Sequence, residues 1–276
     1  MTGLAVAGPG AQGGPLLPTP TLPDIENAPY TLDVVGGQPQ TLTFEYADQD
    51  GFTLGEATVT SEYPLGMTFT LAPESANGAI QDVILFIRFP HESGTRVTAE
   101  WDPARAAWVA RPWDTGGRPP WTAFEFYWRV RDVSDASVDS ESYPMDYFDP
   151  TNQWFRTEDD YVIVYWRGFG EDNPDEIGQK MANYMTSIEE RRVEGFGAAL
   201  SYKPTAVIFP DRDALSGMYG SNVSNNRVAG FTSSDLGMSV QVLRSTEIPP
   251  GQEDCIYVTQ PDQWTMERRI NTIYQV

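Results

Sequence analysis

Few side chains in this sequence have the type and spacing needed to break bonds or hold metals. The single histidine, His91, opens the string His91-Glu92-Ser93-Gly94-Thr95. That string starts like the zinc-binding pattern H-E-x-x-H, yet Thr95 stands where the second imidazole must be. The pattern also needs a helix to bring both imidazoles to one face. Phe89-Pro90 before His91 and Gly94 after it instead mark a strand running into a turn. The single cysteine, Cys255, has no histidine nearby in sequence to act as its base, and reads as a small buried residue.

Carboxylates are plentiful. Asp48, Asp50 and Glu56 around Asp50-Gly51 can offer oxygens to calcium, but the EF-hand spacing is absent and a hairpin turn with solvated carboxylates accounts for them. Asp159-Asp160, and Asp211 with Asp213, are pairs of the kind glycoside hydrolysis uses as acid and base; among 39 acidic residues such pairs arise by chance. Gly168-Phe169-Gly170 is too short for a phosphate-cradling loop, and there is no nucleophile elbow or dinucleotide fingerprint. Asn222-Val223-Ser224 is a glycosylation sequon, which carries meaning only in a secretory host. No catalytic, cofactor-binding or metal-ligating residue is therefore assigned.

The bulk properties narrow the partners. Against 39 Asp and Glu stand 18 Lys and Arg, a net charge of -21 that repels nucleic-acid phosphates. Aromatic residues make up 12%, so material for a packed core is ample. No apolar run reaches the roughly 18 residues needed to cross a bilayer. Met1 to Ala7 ends in the small-x-small pattern Ala5-Val6-Ala7 without a basic start. It reads as the tail of an export signal, with a simple unstructured start as the alternative. Pro9, Pro15, Pro18, Pro20, Pro23 and Pro29 then make a solvated, polyproline-like stalk.

From Tyr30 the pattern has period two. Leu42, Phe44 and Tyr46 alternate with polar residues; so do Val83, Leu85, Ile87 and Phe89, and Phe124, Phe126, Trp128 and Val130. Turns at Asp50-Gly51, Asn77-Gly78, Ser93-Gly94, Asp102-Pro103 and Gly116-Gly117 separate the strands at the spacing of an all-β sandwich of seven or eight strands. After Asp149-Pro150 the grammar changes. Tyr161 to Trp166 is a continuous apolar run, as in a strand covered on both faces. A helix follows, with Asn173 placed to cap it, Pro174, Asp175 and Glu176 in its first turn, and Gly195 and Gly197 to close it. Ile177, Met181, Tyr184, Met185 and Ile188 form its apolar stripe. Val207 to Phe209 predicts a buried strand, Asp211 the cap of a short helix ending near Gly220, and Ser239 to Leu243 and Cys255 to Val258 further strands. Trp264, Met266, Ile270, Ile273 and Tyr274 predict a closing amphipathic helix.

The order from Asn152 onward, Trp154-Phe155-Arg156-Thr157, the Tyr161 strand, the long helix, the strand from Thr205 to Asp211, Ala229-Gly230-Phe231 and the closing helix, resembles the front half of the peptidase MA-like gluzincins. These are exported bacterial zinc metallopeptidases with an N-terminal β-sandwich. The resemblance implies that the closing helix leads into H-E-x-x-H, but here Gln275 and Val276 follow Tyr274. No catalytic residue is carried over, and zinc would need ligands from a further C-terminal part.

The expectation is a mainly β plus α/β chain. Residues 1–29 form a proline-rich disordered segment, 30–150 an Ig-like β-sandwich, and 151–276 an incomplete gluzincin-like α+β unit, with a junction cleavable between Asp135 and Asn152. The expected function is that of an exported, inactive or truncated relative of a metallopeptidase. The alternative is a cell-surface binding or structural module that meets a protein partner.

Overall fold

The computed structural model describes residues 28–37, 40–90, 94–112, 118–218 and 230–242. His91, Cys255 and the closing helix lie outside these. Strand β1 (Thr31–Gly36) and β2 (Thr41–Tyr46) come first, followed by β3 (Phe52–Thr53), β4 (Gly55–Ser61), β5 (Met67–Leu71) and β6 (Glu74–Ser75). Next come β7 (Ile80–Arg88), β8 (Thr95–Thr98), β9 (Glu100–Asp102) and β10 (Ala107–Ala110), then β11 (Ala123–Asp132), β12 (Ser137–Asp139) and β13 (Tyr143–Asp146). The remainder is β14 (Gln153–Glu158), β15 (Ile163–Trp166), α1 (Pro174–Phe196), β16 (Thr205–Phe209), α2 (Arg212–Gly217), β17 (Gly230–Ser233) and β18 (Met238–Val242).

Two antiparallel sheets form the sandwich. One has the order β2-β4-β5-β10-β9; the other is β12-β11-β7-β8, with β13 also paired to β11. The alternation sets their inner faces. Val83, Leu85 and Ile87 of β7 and Phe126, Trp128 and Val130 of β11 are fully buried, and they meet Ala57, Val59, Met67, Phe69 and Leu71 from the facing sheet. Phe69 and Phe126 pack edge to face at 5.2 Å, and Phe44 meets Phe126 at 5.1 Å, the geometry that aromatic quadrupoles favour. The two sheets hold ten strands among the described residues, where seven or eight were expected. The short β9, β12 and β13 offer too few residues for alternation to register.

The third large sheet is mixed, in the order β1-β14-β15-β16-β18-β17. β15, β16 and β18 run parallel, and β14, β1 and β17 are antiparallel to their neighbours. α1 connects β15 to β16 and covers one face, where Met181 and Met185 pack on Val164, Trp166, Ala206 and Ile208. The side chains of Tyr184 and Ile188, also placed on this stripe by sequence, lie outside the described residues. Pro174 opens the helix and Gly197 closes it at φ +79°, its N–H bonding to Val193 O. Asn173, expected to cap the helix, makes no side-chain cap bond; its Nδ2 donates to Glu176 instead, at 2.8 Å. Asp211 does cap α2, accepting from the Ala214 N–H at 2.7 Å.

β1 departs from the sequence reading, which placed it with the sandwich. It pairs along its whole length with β14, Thr31 opposite Glu158 and Gly36 opposite Gln153. Gly36 permits this: at φ +79° it turns beside the 149–152 loop, where any Cβ would meet Asn152 O at 2.3 Å. The expected junction is also part of the packed structure. β12 and β13 both pair with β11, and Tyr147 and Phe148 are buried. Asp149 is fully buried there, accepting from Thr151 N at 2.8 Å, Thr151 Oγ1 at 2.7 Å, Asn152 Nδ2 at 2.8 Å and Trp154 Nε1 at 3.0 Å.

The second face of the mixed sheet packs on the sandwich. Trp121 stacks on Tyr165 with ring centroids 4.8 Å apart and planes within 1°, and meets Trp154 edge-on at 6.0 Å. Trp154 in turn packs on Phe209 at 5.3 Å. Trp121 holds a left-handed backbone at φ +64°, kept in place by its N–H bond to Tyr147 O and by the Tyr147 N–H bond to Thr122 O. Val207, Phe209, Leu215, Met218, Met238, Val240 and Val242 therefore share one core with the sandwich strands.

Truncating Trp121 to Ala should remove about 3 to 5 kcal/mol of stability, the usual cost of deleting a buried large aromatic. Because the core is shared, the loss should appear in one unfolding transition common to near-UV and far-UV circular dichroism. Limited proteolysis of the parent should spare residues 135–152; early cleavage there would contradict the packing.

Candidate binding face

The carboxylates picked out by sequence do not converge. Asp48 and Asp50 are exposed at a hairpin turn closed by paired backbone bonds between Gln49 and Phe52, and Glu56 is exposed on β4, across from Glu45. Asp159 is buried, but its Oδ1 accepts from the Tyr161 and Val162 N–H groups at 2.7 Å each, bracing the turn into β15. Burial pushes the Asp159 carboxyl above the usual carboxylate range. Its neighbour Asp160 points to solvent, so the two make no acid and base pair facing a shared cleft. Asp211 is spent on the α2 cap, with Asp213 exposed in the first helical turn. Among the described residues no group of three or more His, Cys, Asp or Glu is placed to hold a metal ion.

What the structure does assemble is a strip of arginines and rings on the outer face of the β12-β11-β7-β8 sheet. Alternation puts Ile84, Phe86 and Arg88 of β7 and Glu125, Tyr127, Arg129 and Arg131 of β11 on this face, with their neighbours inside. The register sets Phe86 directly across from Tyr127, Arg88 across from Glu125, and Arg96 of β8 across from Phe86. The two rings stack at 4.8 Å with planes within 5°. Arg88 then lies over Tyr127 at 5.3 Å and Arg129 over Phe86 at 5.0 Å, so guanidinium groups cover the ring faces.

The arginines differ in what remains free on them. Arg129 makes a two-pronged pair with Asp139, Nε to Oδ1 at 2.6 Å and Nη2 to Oδ2 at 2.7 Å. That contact pulls the Asp139 carboxyl below its ordinary range. Arg131 sits 3.6 Å from Asp82 and 3.8 Å from Asp135. Arg88 and Arg96 are both exposed, and among the described residues neither has an ion-pair partner. Two guanidiniums without an ion pair among the described residues thus stand at the corner where β8 ends the sheet, with Glu125 across from Arg88. Such a corner suits a carboxylate, sulfate or phosphate group.

The turn behind the strip is braced by Asp132. This buried carboxylate accepts from the Ser134 hydroxyl at 2.6 Å, from Ser75 at 2.7 Å, and from the backbone of Ser134 and Ala136. Those bonds, led by Ser134, draw its pKa down to about 2. The sequence pointed to the wet side of β11 but gave no reason to single out its arginines. The available signal was three arginines, Arg88, Arg129 and Arg131, at outward positions of two adjacent strands in a chain with 18 basic residues.

A carboxylate whose folded pKa lies below its unfolded value, about 4, stabilises the fold above that value, and the contribution is lost as pH falls towards about 2. Acid titration of stability should therefore fall less steeply between about pH 4 and 2 for Asp132→Asn than for the parent. Parallel curves would show that Asp132 carries no such linkage.

Comparison with family profiles, with curated proteins and with solved structures finds no match for this chain.

Proposed function

We propose that this protein works by binding, as an exported cell-surface module whose sandwich carries the contact face and whose mixed sheet is its support. The observation that carries this is the corner of Arg88 and Arg96 beside the guanidinium-covered ring pair, a local cationic site on a chain of net charge -21. A protein with so few basic residues keeps two of them exposed, as diagonal neighbours on adjacent strands, without an ion pair among the described residues. On a chain of such net charge they form a local cationic patch that can meet an anionic group. The absence of a helix long and apolar enough to cross a membrane among the described residues is compatible with this reading.

The test is retention on immobilised polyanions, poly-glutamate and heparin, at low salt. The full chain should be held on at least one of them, and the Arg88→Gln/Arg96→Gln double variant should elute earlier. Flow-through of the parent on both resins would remove the reading.

A second reading, a gluzincin-like framework that performs no peptidase chemistry in this chain, is favoured by element order. β15, α1, β16, the Asp211-capped α2 and β17 at Gly230-Phe231 follow one another as in the stretch that carries the resemblance. On this reading too, metal analysis after dialysis should find no stoichiometric zinc, and the chain should cleave no peptide. One tightly held zinc per chain would instead point to ligands that include residues outside the described ones.

A further inference from the structure

We infer that the ligand of the Arg88 and Arg96 corner is an extended acidic polypeptide segment, which adds as a strand to the open edge of β8. This rests on the reading of that corner as a binding face. β8 is the last strand of its sheet. Thr95, Arg96 and Thr98 are exposed, and the described residues pair β8 with β7 alone. Among the described residues no strand pairs with its outer backbone groups, the arrangement to which a further strand can add.

Three observations select the occupant. The first is charge on the edge itself. Two copies of β8 laid side by side would bring two Arg96 side chains onto one four-residue edge, whereas a strand bearing carboxylates meets opposite charge from Arg96 and, one strand further in, from Arg88. The second is the state of the rings. Arg88 lies over Tyr127 and Arg129 over Phe86, which leaves no open aromatic face on which a sugar could stack. Recognition then falls to guanidinium edges and backbone. The third is range. Charges further apart than about 8 Å are largely screened at physiological salt, so a short acidic segment is held mainly by the two arginines, with Glu125, across from Arg88, the nearest opposing charge. A longer polyanion also meets more of a surface that carries the rest of the net charge of -21, so it is held more weakly per carboxylate than a short segment. Alternation in an extended strand places every second side chain on the arginine face, so carboxylates at alternate positions give the best match.

The probe is a capped, fluorescently labelled octapeptide of alternating Glu and Val, titrated against the full chain by anisotropy. It should bind saturably. The Arg88→Gln/Arg96→Gln variant should bind about tenfold or more weakly, the size expected for losing a pair of charge contacts. N-methylation of alternate peptide amides, which removes donors but keeps every carboxylate, should weaken binding to a similar degree. Circular dichroism checks that the double variant folds; if it does not, the single Arg96→Gln change on the exposed edge strand gives the same reading. Equal affinity of parent and variant, equal affinity of the methylated peptide, or no binding of the peptide would each overturn the inference. Binding of a heparin oligosaccharide alone, with the same dependence on Arg88 and Arg96, would overturn it too, yet leave the binding-face reading standing. Failure of both probes would remove both.

Discussion

The mixed sheet is apolar on both faces, and one helix can cover only one of them. α1 seals the side of Val164, Trp166 and Ile208, which leaves Trp154, Tyr165, Val207 and Phe209 in need of a second cover. The sandwich supplies it through Trp121, whose indole lies flat on Tyr165 and edge-on to Trp154. Burying side chains of this size stabilises by about 2 to 3 kcal/mol each, so the seam outweighs any single polar contact along it. The left-handed backbone of Trp121 is tolerated for the same reason: the ring must reach across to the sheet, and two backbone bonds to the Tyr147 region hold it there.

This arrangement makes the 143–154 stretch a structural keystone. Asp149 accepts hydrogen bonds from three residues that follow it, and one of those donors is the indole of Trp154. The carboxylate therefore fixes the loop and orients the ring that the seam depends on. Beside it, Arg167 lies 5.2 Å from the Trp154 ring and donates to Asn152 Oδ1 at 3.3 Å, which sets a cation against the aromatic end of the same seam.

Much of this was legible in the sequence, and what was not has a common cause. The inward sets of β7 and β11, the buried strands at β15 and β16, the limits of α1 and the Asp211 cap all follow from local rules of periodicity and capping, and they stand in the structure. Periodicity tells which face of a strand is dry but not what dries it. β1 reads like any half-buried strand, and its pairing with β14 joins Thr31 to Glu158, far along the chain, through contacts that leave no local trace. The Ser and Asp content of 135–152 suggested solvent exposure. The same side chains instead satisfy turn backbones, as Asp132 and Asp149 do. For the binding corner, sequence showed arginines at outward positions; that Arg129 is occupied by Asp139 while Arg88 and Arg96 are not depends on register, which only the fold fixes.

The residues that lead into β1 are fastened to α1 before the strand begins. Ala28 donates its N–H to Asn183 Oδ1 and accepts from Gln179, and Tyr30 donates its hydroxyl to the Asp175 carbonyl, all on α1, just before the chain enters β1. A displacement of Ala28 would therefore act first on these contacts with the helix and only then on β1. Only after these contacts give way is the six-residue ladder with β14 loaded. Losing that ladder would take an edge strand from the central sheet while leaving Trp121 and its neighbours in place. The start of β1 is thus registered against α1 as well as against β14, so the helix and the edge strand hold each other in place.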